Sequence, residues 1–140
     1  SAYDRLVFKK LGVYKSKESL IHAAKQNEYV YELLNYLDVS EGVFESNDEK
    51  ALHVTMQLAI FLVLYKVSKH HDAYITLHLE RLESIVFTGG ITKVLTQKMC
   101  EEILHFVYKK ILGLHHIPSV VLDTNYAIWT LGIQGDSHVD

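Results

Sequence analysis

An unbroken apolar run, Leu58-Ala59-Ile60-Phe61-Leu62-Val63-Leu64-Tyr65, constrains this chain more than any other feature. It lies within a segment that opens at Asp48, a good helix N-cap, and extends to about residue 68. A helix that is apolar on every side must be covered on every side. The segment is therefore expected at the centre of a core, or between this chain and a second one. His53, Gln57 and Lys66 interrupt it well short of the ~20 residues that cross a bilayer, so no membrane partner is expected.

The rest of the chain is consistent with a core of that kind. Of 140 residues, 49% are hydrophobic and 22% charged, the balance of a globular domain rather than a disordered chain. The length fits one domain. One Pro and seven Gly argue against a turn-rich β protein. The single cysteine, Cys100, excludes a disulfide framework and a cysteine zinc site. A lone thiol also suits a reducing compartment, so the cytoplasm or nucleus is expected. The opening Ser1-Ala2 reads as an excised part of a larger protein. Residues 1–140 are expected to form one helical domain, with 132–140 as an exit linker.

Hydrophobic periodicity predicts helix almost throughout. A short helix is expected over 4–13. One helix is expected over 16–37, started by Ser16 or Ser19. The loop 38–50 is acidic and should be a solvated connector or a strip that docks a basic partner. A helix over 73–87 follows from Ile75, Leu79, Leu82 and Val86, with Thr88-Gly89-Gly90 as its stop. Residues 92–112 form one helix, or two if Thr96 caps the second. After Pro118 a helix to Leu131 is favoured, although Val120-Val121-Leu122 also suits an extended segment. No Asn-Gly or Asp-Gly hairpin turn and no sustained alternation point to strands. The expected fold is all-α: a helical bundle or a short stack of five to six helices.

Chemistry-bearing motifs are sparse. None of the nine histidines form an i,i+4 pair, the spacing a helical zinc site needs. The adjacent pairs His70-His71 and His115-His116 fit helix C-termini instead. Glu102 and His105 match only one copy of a Glu-x-x-His motif that requires two. Cys100 is flanked by Glu101 and Glu102, the wrong setting for a nucleophile. Gly89-Gly90 does not complete a phosphate-loop pattern. No enzyme, metal or cofactor is expected. Nucleic acid is disfavoured too: the net charge is −3, Arg5 and Arg81 are the only arginines, and the one basic patch is Lys9, Lys10, Lys15 and Lys17.

The aromatic residues are more suggestive. The chain has nine Tyr and one Trp, residues enriched at interfaces. Tyr29 and Tyr36 are one heptad apart and share a helix face, either lining the core or meeting a partner.

Two stretches resemble armadillo/HEAT-type helical repeats. Thr88-Gly89-Gly90-Ile91-Thr92-Lys93-Val94-Leu95 is similar to the glycine-led start of a repeat's second helix. Asn125-Tyr126-Ala127-Ile128-Trp129-Thr130-Leu131 is similar to a third helix. The resemblance implies a non-enzymatic right-handed stack that binds extended peptides, with Asn125 and Trp129 in its groove. Burial of Trp129 in the core is the alternative. The expected function is a protein-interaction scaffold that takes a peptide or helix at Tyr29, Tyr36, Asn125 and Trp129. Homo-oligomerisation through the same apolar surface, giving a homodimer, is the alternative.

Overall fold

The computed structural model describes residues 5–8, 16–69, 79–124 and 137–139. Helix dominates, as the periodicity predicts, but the helices share their core with a sheet. The elements are β1 (Arg5–Phe8), α1 (Lys17–Lys25), α2 (Val30–Tyr36), a 3-10 turn (Glu41–Phe44) and α3 (Glu49–Ser68). A helical turn at 79–81 precedes β2 (Ser84–Thr88). A second 3-10 turn (Gly90–Lys93), α4 (Gln97–His105), a π-helical segment (Phe106–Ile111), β3 (Ser119–Asp123) and β4 (Ser137–Val139) complete the order.

The centre of α3 behaves as the apolar run requires. Residues 57–64 are all buried. Leu58, Ile60, Phe61 and Leu64 are almost completely covered, each burial stabilising the fold by about 1.5–3 kcal/mol before chain entropy is counted. The helix packs against α1, α4 and the π-segment. Its length and mean hydropathy of 1.5 would also suffice for a membrane span, but here its central residues 57–64 are buried in the protein's own core. The surplus apolar surface expected of this helix is thus largely used internally. Gln57, the polar residue in this stretch, donates its side-chain amide to the Met99 carbonyl of α4 at 3.0 Å.

Helix ends follow the capping residues in the sequence. Ser16 and Ser19 form a reciprocal capping box at α1. Asp48 Oδ1 accepts from the Ala51 amide at 2.8 Å, and Thr96 Oγ1 accepts from Met99 at 3.2 Å. Thr96 therefore starts a separate helix, which resolves 92–112 into a turn followed by α4. The single helix expected over 16–37 breaks at Asn27, whose side chain accepts from the Tyr29 amide at 2.8 Å and diverts the backbone from the helical ladder. The C-terminus of α2 is a Schellman motif. Val39 N–H donates to Leu34 and Asp38 N–H to Asn35, with Asp38 at φ 58 in the left-handed position usually given to glycine.

Four segments correct the strictly helical expectation. Arg5–Phe8, expected in a first helix, is β1. Ser84–Thr88, expected at the end of a helix, is β2. Ser119–Asp123 takes the extended alternative. Ser137–Val139, expected in an exit linker, is β4. Together they form a parallel sheet in the order β3-β2-β1-β4. Ile85 and Phe87 of β2, with Val120 of β3, face the helices and join the cluster containing Leu33, Leu58, Phe61 and Ile103. Val86 and Thr88 lie on the other face and are also buried. A parallel strand buried on both faces reads as a continuous apolar run, so the search for alternation misses Ser-Ile-Val-Phe-Thr.

The π-segment follows α4 without a break and buries Phe106, Val107 and Tyr108 in succession. The wider winding turns the chain less per residue and keeps three consecutive side chains inward. The Tyr108 hydroxyl donates to the buried Leu79 carbonyl at 2.9 Å, and burial pushes its pKa far up.

Two substitutions test these local arguments. Tyr108→Phe should lower unfolding free energy by about 1–2 kcal/mol, because the Leu79 carbonyl loses its donor. Asp38→Gly should raise it by about 0.5–1 kcal/mol, by relieving the left-handed residue and removing a negative charge from a helix C-terminus. Urea denaturation of each variant against the parent chain reads both signs.

Candidate functional site at the carboxyl edge of the sheet

Among the described residues, all four strands run the same way, so their carboxyl ends share one edge. The register keeps the ends level: Phe8 pairs with both Phe87 and Val139, and Thr88 pairs with Asp123. β2 and β3 are added on one side of β1, whereas β4 is added on the other. The order in which strands are added therefore reverses between β1 and β4. In open parallel sheets such a reversal leaves a crevice at the carboxyl ends, where ligands bind.

The best-defined part of this edge is the turn after β2. Gly89 has φ 87 and ψ −160, a conformation open essentially only to glycine. Its carbonyl accepts from the Thr92 hydroxyl at 2.8 Å and the Thr92 amide at 3.1 Å, which fixes the turn. The next residue, Gly90, is exposed, and a Cβ placed on it would meet nothing within 4 Å. The backbone there is bare and faces open space. Beside it, the Thr88 hydroxyl donates to the Asp123 carbonyl at 3.4 Å. The Asp123 side chain is held at the end of β3 with the residue only 7% exposed. Lys9 and Lys10 follow β1 in the sequence and lie outside the described residues.

The residues singled out from sequence are distributed differently. Tyr29 is half-buried, its ring 5.9 Å from Tyr65. Tyr36 is 44% exposed, with its ring 5.5 Å from Phe106. Each ring packs one side on an inner aromatic ring, and Tyr36 keeps much of its surface exposed. Through Tyr65, Phe61 and Phe106 they end one chain of neighbouring rings. Burial, reinforced by Glu102, raises the Tyr36 pKa. The Tyr65 hydroxyl donates to Glu28 at 2.8 Å, and that bond holds its pKa up at about 12. Tyr31, not singled out from sequence, is the more exposed tyrosine of α2 at 51%. Asn125 and Trp129 lie outside the described residues, as does the rest of 125–131. The other armadillo-like stretch, 88–95, folds as the end of β2, the glycine turn and a 3-10 turn.

Other candidate groups take structural positions. Cys100 is buried, and burial followed by Glu101 pushes its thiol up to about 12, so it stays protonated at neutral pH. Lys17, grouped from sequence with a basic patch, donates to the Ser46 carbonyl at 2.9 Å and to Asn47 at 3.0 Å. It ties α1 to the loop before α3. The His116 ring meets the Leu82 carbonyl at 3.0 Å. Among the described residues, no three His, Cys, Asp or Glu side chains converge in a way that could hold a metal ion.

From sequence, Gly89-Gly90 reads as a helix stop, as an incomplete phosphate-loop pattern and as part of the armadillo-like stretch, and Asp123 is not singled out as a site residue. The available signal was a β-branched and aromatic run, Ile85-Val86-Phe87-Thr88, ending directly in two glycines. Gly89→Ala should cost roughly 1–3 kcal/mol through backbone strain. Gly90→Ala should leave stability within about 0.5 kcal/mol of the parent. Thermal unfolding of the two variants side by side distinguishes the constrained glycine from the open one.

Comparison with known proteins returned no match: no family model, no curated protein and no solved structure aligns with this chain.

Proposed function

We propose that this chain binds a small, polar, phosphate-bearing ligand at the carboxyl edge of its parallel sheet. The observation that carries the reading is the strand order β3-β2-β1-β4, all parallel, with the bare Gly89-Gly90 turn at the same carboxyl edge, one strand away from the reversal between β1 and β4. The location follows from this chain's own geometry. The ligand class rests on analogy: sheets that begin with this order bind nucleotides at the reversal. An exposed glycine backbone lets a ligand approach closely and offers N–H donors to an anion. The usual glycine fingerprint for a dinucleotide is missing after β1, so a pyrophosphate held in that standard manner is not part of the proposal.

Calorimetric titration with ATP, NAD and glucose 6-phosphate tests this reading. At least one should bind saturably, and Gly90→Val should weaken that binding tenfold or more while leaving the melting temperature unchanged. Absence of binding by all three, or a Gly90→Val variant that binds as well as the parent, would overturn it.

A second reading is a non-catalytic scaffold of the cytoplasm or nucleus that takes a peptide or helix on its helical layer, as the armadillo-like stretches imply. A homo-oligomer built on that surface is its other form. The exposure of Tyr31 and Tyr36 on α2 favours it; the internal coverage of α3 weighs against it. Here Tyr31→Ala should abolish self-association, or capture of a defined protein, at unchanged stability. Tyr29→Ala should instead lower stability by about 1–2 kcal/mol, since its ring packs on Tyr65. A strict monomer by light scattering at high concentration eliminates the oligomer.

A further inference from the structure

We draw no further inference here: the strongest candidate, the cleft of about 570 Å³ between the C-terminus of α2 and the first turn of α3, lined by Asn35, Asp38, Ser46, Asp48 and Lys50 among others, is an open polar cleft at a helix N-terminus, and none of its polar side chains is buried to indicate what ligand would fill it.

Discussion

Covering the middle of α3 on all sides is the constraint from which the other packing follows. One neighbour cannot enclose a helix whose residues 57–64 are all buried. Here α1, α4 and the π-segment lie against it, and Ile85, Phe87 and Val120 of the sheet belong to the same cluster. Large rings fill the junctions. Phe61 lies 5.9 Å from both Tyr65 and Phe106, near the distances at which tilted aromatic pairs attract. Tyr29, the N-cap of α2, and Tyr36 at its last turn then close the ends of this ring chain. The helical layer and the sheet are therefore one hydrophobic unit, not two that happen to touch.

Polar groups within that unit are placed where they do not weaken it. Gln57 faces α4 and finds a backbone carbonyl. Tyr108 carries its hydroxyl to Leu79, next to the chain's return into β2. Both bonds span long sequence separations and tie the α4 region to earlier parts of the chain. A buried donor with its acceptor in place costs little, whereas one without a partner would cost ~1–3 kcal/mol. Such pairs help select one packing arrangement among several that a greasy core would tolerate.

The legible part of the fold was what local chemistry determines. The apolar run placed α3, and Asp48, Ser16 and Thr96 marked helix starts. The heptad spacing of Tyr29 and Tyr36 assumed one helix; the break at Asn27 leaves Tyr29 at the N-cap of α2, and the two rings meet Tyr65 and Phe106 respectively. The strands were hidden for a different reason. Leu6-Val7-Phe8 and Ile85-Val86-Phe87 are short apolar runs, which suit a buried parallel strand and a core helix equally well. Pairing partners distant in sequence decide between them. The candidate site was obscured in the same way. A pair of glycines ends a helix or a strand, and only the sheet around it shows that the turn lies at the carboxyl edge of parallel strands.

The adjacency of β1 and β2 has a kinetic side. Phe8 is matched to Phe87, yet α1, α2 and α3 all lie between them. Closing so long a segment costs chain entropy before any ladder bond can return it. Helices, whose bonds are local, assemble without that delay. The order of events this favours is a collapsed helical cluster around α3 that later receives β1. Until β1 docks, one side of β2 lacks its partner, leaving an unprotected strand edge during the slowest stage of assembly.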